Sequence, residues 1–214
     1  MNRQKLILPP RLGLRILWMS LGILMMGLSL SVLIRLDLGT EPYSCFIVGF
    51  SRQLHTSYGN AQLMAQILMF LLVLLFGRNR IGIGTVANMV CIGYITDLGN
   101  LVLDALVPGS AWGLPAVRFG ALIPAMAVFV LGAALYMAVD LGVSPYDAIP
   151  FILCASRKKI SFRVIRMAWD FTFMILGFLL GGTMGLVTLL GMLFLGPVIA
   201  WLRKKMEPSL HKIS

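Results

Sequence analysis

The chain has 214 residues, of which 59% are hydrophobic and 12% charged, with a formal net charge of +10 and a mean hydropathy of +0.92. Soluble domains carry about 25% charged residues, so this composition excludes a soluble enzyme and points to a membrane protein. The positive charge is read as topology, with Lys and Arg held at one membrane face, rather than as a nucleic-acid footprint.

A helical span needs ~20 apolar residues. Six segments approach or reach that size, at 15–35, 59–76, 82–106, 117–139, 161–180 and 182–202. The first follows a basic stretch, 1–14, that holds Arg3, Lys5 and Arg11. It is too long for a signal-peptide core and is expected to be kept as a span. Between the first and second spans lies a shorter piece, 42–54, and between the fourth and fifth another, 145–156. Pieces of this size make helices of about 18–20 Å, short of the ~30 Å hydrocarbon core. Each opens on a proline, Pro42 or Pro145, which suits a first helical turn. Ser144 with Asp147 has the capping-box spacing. The expected fold is all-α: a polytopic membrane protein of six transmembrane helices with two short re-entrant or interfacial ones.

The short pieces belong to a repeat. Asp37-Leu38-Gly39-Thr40-Glu41-Pro42-Tyr43 returns as Asp140-Leu141-Gly142-Val143-Ser144-Pro145-Tyr146, five of seven positions unchanged, at an offset of 103. The same offset pairs Gly82 with Gly185, Thr85 with Thr188 and Gly93 with Gly196. The expected organisation is a tail (1–14), repeat 1 (15–106), a linker (107–116), repeat 2 (117–203) and a C-terminal tail (204–214). If the short pieces return to the side they leave, each repeat has three spans. The second copy then enters from the opposite side and the halves are inverted. Charge favours this, because with a cytoplasmic N-terminus Arg78, Arg80, the run Arg157-Lys158-Lys159 with Arg163, and Arg203-Lys204-Lys205 all fall inside. Both tails are then cytoplasmic. Gly177, Gly181 and Gly185 have the spacing that lets helices approach closely.

Ionisable groups inside spans are costly, about 2.5–3.5 kcal/mol for Asp at a helix centre. Asp170 is the deepest, with Arg166 one turn before it. Two readings stand together: an i,i+4 ion pair, or a coupling carboxylate for a proton or a solute amine. Gln66 is one position from the repeat counterpart of Asp170, so the two are candidates for opposite walls of a central cavity. Asn88, Thr85 and Thr188 are further candidates for solute or coupling-ion binding, although interhelical hydrogen bonding also accounts for such residues. Asp37 and Asp140 are read either as turn formers or as gates. Pro42, Tyr43, Pro145 and Tyr146 sit on the first turns of the short helices, where free N–H groups attract anions. Cys45, Cys91 and Cys154 have no paired spacing and His55 and His211 no ligand cluster, so neither metal nor cofactor is expected.

The run Arg35 to Tyr43 resembles the R-x-D-L-G-x-x-P signature of the YczE/YyaS/YitT-type bacterial integral membrane proteins. Gly82-Ile83-Gly84-Thr85-Val86-Ala87-Asn88, then Ile92-Gly93 and Asp97, and Gly181-Gly182-Thr183-Met184-Gly185 with Thr188 are similar as well, so the likeness covers the whole chain. Glu41 with Tyr43 departs from it, since a small polar residue and often Trp is usual there. The resemblance implies a multi-pass protein of the bacterial cytoplasmic membrane and assigns no substrate or site residue.

The sequence is thus read as a secondary transporter or exporter of a small solute in the bacterial cytoplasmic membrane, and not as an enzyme. A non-transporting accessory or assembly partner, or the substrate-binding membrane subunit of an ATP-driven importer, stays open beside it. The expected partners are the lipid bilayer and an unidentified small molecule, with no nucleic acid; a homo-oligomer is left open.

Overall fold

The computed structural model describes residues 12–156 and 160–213. The N-terminal bases Arg3, Lys5 and Arg11 and the run Arg157-Lys158-Lys159 lie outside the described residues. Within them the regular structure is helical, with no strand. In chain order the helices are α1 (Leu12–Leu36), α2 (Pro42–Gln53), α3 (Tyr58–Phe76), α4 (Ile83–Leu106), α5 (Pro115–Ala138), α6 (Pro145–Ser156), α7 (Phe162–Leu179), α8 (Leu186–Leu190) and α9 (Gly196–Ile213). A π-helical turn, Gly191–Leu195, joins the last two.

Large apolar side chains cover the outside. Leu17, Leu68, Leu75, Leu101 and Ile123 are 61–76% exposed, which suits hydrocarbon rather than water. Where the sequence predicts six crossing segments, five helical stretches are long and apolar enough to span a membrane: α1, α3, α4, α5 and the run Val187–Glu207. The remaining segment, α7, has 18 residues and carries Arg163, Arg166 and Asp170, and these charges set it apart. The sixth segment also differs from its expected course. Residues 180–185 are not helical and the helix begins at Leu186. Gly181 has φ +80°, and a Cβ on Gly182 would overlap the carbonyl of Cys45, so this stretch follows the surface of α2 instead of continuing a helix. Consequently Gly177, Gly181 and Gly185 do not form one helical stripe. The tail expected from 204 is continuous with α9.

Close glycine contacts hold the bundle together. A Cβ on Gly22 of α1 would lie 2.7 Å from the Gly132 carbonyl of α5. One on Gly49 of α2 would lie 2.8 Å from the Gly177 carbonyl of α7. Thr96 of α4 donates its hydroxyl to the Gly27 carbonyl of α1 at 3.1 Å, so a polar group in the core is satisfied at one of these crossings.

The two copies of the repeated heptad turn the chain in the same way. Asp37 and Asp140 both have φ +53°, and Gly39 and Gly142 have φ +95° and +110°. These are left-handed backbones that glycine adopts without strain and aspartate tolerates better than most residues. Each turn then presses on the helix start of the other half. The Leu141 carbonyl accepts from the free Gly84 N–H at the start of α4, at 2.8 Å, and a Cβ on Gly82 would overlap that carbonyl. Reciprocally, a Cβ on Gly185, at the start of α8, would overlap the Leu38 carbonyl.

The two ends of the α2 segment meet the same neighbour, Thr183. Asp37 Oδ1 accepts from Thr183 Oγ1 at 2.8 Å, and at the other end of α2 Arg52 donates to the Gly181 carbonyl at 2.6 Å and to Thr183 Oγ1 at 3.5 Å. For α6, the entering Val143 N–H bonds the Arg80 carbonyl at 3.4 Å, and midway along the helix Phe151 carries the Arg80 guanidinium 4.4 Å above its ring.

Overpacking a tight contact costs about 1–3 kcal/mol. Gly82→Ala and Gly185→Ala are each expected to lower the apparent melting temperature of the detergent-purified protein by several degrees. Gly120→Ala, on an exposed face of α5 with nothing within 4 Å of the added Cβ, should leave it unchanged or raise it.

Candidate functional site

The first turns of α2 and α6 meet inside the bundle. The rings of Tyr43 and Tyr146, counterparts in the repeat, lie 4.4 Å apart between centroids, tilted by 31°. Phe173 of α7 closes on both, at 6.0 and 5.2 Å. Beside this aromatic floor lies a cavity of about 510 Å³, within the ~300–1,000 Å³ range of small-molecule sites. It extends along α7 and α9 to Phe162, Arg163 and Arg203, at the end where Phe162 stacks on Phe151 at 4.4 Å.

Each short helix brings a carboxylate to the cavity as part of its own cap. In α2 Glu41 is the N-cap residue: its Oε2 accepts from the Tyr43 N–H at 2.7 Å, and its Oε1 accepts from the Ser44 hydroxyl. Since Ser44 has given its proton to Glu41, Tyr58 is the donor in the 2.9 Å bond between the two hydroxyls. In α6 the roles are exchanged. Ser144 Oγ accepts from the Asp147 N–H at 3.1 Å and donates to Asp147 Oδ2 at 2.7 Å. The first is the capping bond expected from the Ser144/Asp147 spacing; in place of the second, to the Ser144 backbone N–H, Asp147 takes the Ser144 hydroxyl.

The Arg166 guanidinium of α7 joins two acids. It donates from Nη1 to Asp147 Oδ1 at 2.6 Å and from Nε to Asp170 Oδ2 at 3.1 Å, and it lies 5.0 Å from the Tyr146 ring centroid. Tyr146 donates its hydroxyl to Asp170 Oδ1 at 2.5 Å. Asp170, buried at 7% exposure, therefore has both oxygens engaged, and α6 is tied to α7 through two side-chain pairs, Asp147–Arg166 and Tyr146–Asp170.

On the opposite wall, Gln62 and Gln66 of α3 are each 2% exposed and line the cavity. Their amide oxygens have no partner within the structure, and neither has the hydroxyl of Tyr43. Buried polar atoms are almost always bonded; Arg203, which also lines the cavity, has an Nε without a hydrogen-bond partner, so four such residues around one cavity mark a place for a polar ligand or water.

Of the residues singled out in the sequence, Asp170, Arg166, Gln66, Asn88, Pro42, Tyr43 and Tyr146 all border this cavity. Thr85 and Thr188 do not: their hydroxyls accept from the Gly82 and Gly185 N–H groups at 3.1 and 3.3 Å, so they cap α4 and α8 where the opposite turns dock. Asp37 and Asp140 are exposed left-handed residues away from the cavity. Glu41 and Tyr58 were not anticipated as site residues, and Asp147 only as a cap. One signal was available: in the repeat alignment Glu41 faces Ser144 and Ser44 faces Asp147, so both halves keep an acid and a hydroxyl three residues apart, in opposite order.

Removing one member of a buried charge network strands the rest, at about 3–5 kcal/mol. The Arg166 side chain is 23% exposed, which places Arg166→Gln near the lower bound. It should lower the apparent melting temperature sharply, and adding Asp147→Asn and Asp170→Asn to it should recover most of the loss in the same assay.

A family model described as "Family of unknown function (DUF6198)" matches residues 13–204. An uncharacterized protein of Haemophilus influenzae is 29% identical over 187 residues, covering 86% of this chain and 80% of its own length. The uncharacterized protein YyaS of Bacillus subtilis is 22% identical over 181 residues, covering 83% of this chain and 86% of its own. No solved structure matches. The likeness to YyaS accords with the YczE/YyaS-type resemblance carried by the repeated motif. With its model spanning nearly all of the described residues, the chain belongs to the DUF6198 family.

Proposed function

We propose that this protein is a secondary carrier of a small solute in the bacterial cytoplasmic membrane, built from six spans in two inverted halves with both termini in the cytoplasm. One observation carries the reading: two short helices, counterparts in the repeat, bring their N-terminal tyrosines together at a cavity that holds a few polar groups in an apolar lining. Discontinuous helices ending at a central site, at the seam of internal repeats, are the usual build of secondary carriers. A protein serving only as a scaffold gains nothing from leaving Gln62, Gln66 and Tyr43 unpartnered there.

The cavity mouth lies beside Arg163 and Arg203, so by the positive-inside bias the form described here faces the cytoplasm. The other end is held by Arg52 on Gly181 and Thr183, and by Thr183 on Asp37. That gives Asp37 a gating role at the outer entrance and leaves Asp140 as its inner counterpart. Asp170 is the coupling carboxylate of this scheme. It touches both Tyr146 and Arg166, so a change in its charge alters how α6 sits on α7.

Alternating exposure is tested with a single cysteine at Met26, which lines the cavity near the middle of α1, after Cys45, Cys91 and Cys154 are replaced by serine. In oriented vesicles a membrane-impermeant maleimide is expected to label Met26→Cys from either side. Labelling from the cytoplasmic side alone would describe a blind binding pocket, and labelling from neither side a scaffold.

A further inference from the structure

We propose that the Glu41 pole of the cavity binds an organic cation, an ammonium or amine carrying apolar groups. This deepens the carrier reading and rests on it for the meaning of the site, but not for the binding chemistry.

The argument starts from a difference between the halves. Each short helix presents one carboxylate at its first turn. In the second half Asp147 is neutralised by Arg166 at 2.6 Å. The repeat counterpart of Arg166 is Leu63, which supplies no charge. Glu41 is held only by neutral donors, the Tyr43 N–H and the Ser44 hydroxyl, and among the described residues no basic side chain forms an ion pair with it. Around the floor, three carboxylates (Glu41, Asp147 and Asp170) face a single guanidinium. Arg163 and Arg203 lie toward the mouth, and Arg203 stands 4.0 Å from Glu207.

Capping alone does not explain a carboxylate at position 41. Ser144 performs the same task in α6 with a neutral hydroxyl. The charge on Glu41 is thus surplus to the cap, and a bound cation would do for the first half what Arg166 does for the second.

Two further observations point the same way. Gln62 and Gln66, one turn apart on α3, line this cavity and have amide oxygens without a partner; a turn of either amide offers the acceptor that the N–H groups of an amine require. The apolar lining includes aromatic and thioether groups beside aliphatic ones, among them Tyr43, Tyr146, Phe129, Met26 and Met137, surfaces that take an apolar body, and whose rings stabilise a cation. An anion is disfavoured. The two helix N-termini that would attract it are occupied by their own caps, and at this pole it would meet the Glu41 carboxylate, which is held only by neutral donors.

The probe is benzylammonium, set against its uncharged isostere ethylbenzene and against phenylacetate, with binding read from the apparent melting temperature of the purified protein. The cation is expected to raise it and the other two are not. Glu41→Ser keeps a capping hydroxyl, as in the second half, but loses the charge, and should weaken binding by about tenfold or more, since charge-assisted contacts are the stronger class. Glu41→Ser with Ser44→Asp copies the Ser144/Asp147 arrangement and should restore it. Asp104→Asn, at the exposed pair with Arg35, should bind as the parent does.

The proposal is overturned if the cation and its neutral isostere bind alike, if millimolar cation gives no shift, or if Glu41→Ser binds undiminished. The isostere comparison on the parent protein decides even if a variant fails to fold. Uptake of the labelled cation into proteoliposomes is measured separately: binding without uptake upholds the cation site and removes the carrier reading, whereas uptake of phenylacetate without cation binding does the reverse.

Discussion

The structure depends on a reciprocal constraint: each half inserts an Asp-Leu-Gly turn beneath the first turn of the other half's last span. Leu141 supplies the carbonyl that the free Gly84 N–H needs, and Leu38 abuts Gly185 in the mirrored place. Helix starts leave N–H groups without partners, and no water is at hand within a bilayer to satisfy them. The glycines at 82 and 185 are required because backbone approaches backbone there. The short helix begins directly after each turn, so docking the turns also fixes where Tyr43 and Tyr146 arrive. The aromatic floor follows from the turns.

Symmetry builds the frame, and departures from symmetry build the chemistry. The paired elements (Asp37/Asp140, Gly39/Gly142, Thr85/Thr188, Gly82/Gly185) repeat their backbone angles and their bonds. The unpaired ones cluster around the cavity: Glu41 against Ser144, Leu63 against Arg166, Ile67 against Asp170, Asn88 against Gly191. The last pair also marks a break in helix geometry. Where α4 runs on unbroken through Asn88, its counterpart adopts a π turn from Gly191. Such turns are rare and occur mainly at functional sites. Gly191 faces Glu41, whose Cα would lie 3.7 Å from an added Cβ.

Much of this was legible in the sequence because internal repetition is a strong signal. The all-helical class, the short Pro-led helices and the Ser144/Asp147 cap are each written in local spacing. The meeting of Asp170, Arg166 and Gln66 at one cavity followed from the rarity of polar groups in apolar helices. Two things were not legible. Thr85 and Thr188 look like polar groups in search of a solute, and only the docking of the opposite turns reveals them as caps. Glu41 looks like an interfacial acid, because four residues after Asp37 it is expected near water. Only the inward dip of the chain carries it to the cavity. The break near Gly182 is written in the sequence but its run to Gly185 is not, since a short glycine-rich stretch can follow a neighbour's backbone as readily as it can extend a helix.

The two ends of the bundle use different chemistry, and this bears on how a carrier of this build would work. At one end Arg52, Thr183 and Asp37 form a hydrogen-bonded strap. The repeat counterparts of Arg52 and Thr183 are Ala155 and Arg80, so the same strap cannot form at the other end when the halves exchange their arrangement. What stands there instead is a stack: Arg80 over Phe151, and Phe151 against Phe162, at the edge of the cavity mouth. A closure made of carbonyl and carboxylate contacts exposed to water is weakened by competing hydrogen bonds and salt, whereas one made of aromatic faces depends on apolar burial. Under the carrier reading the two closed states therefore differ in kind.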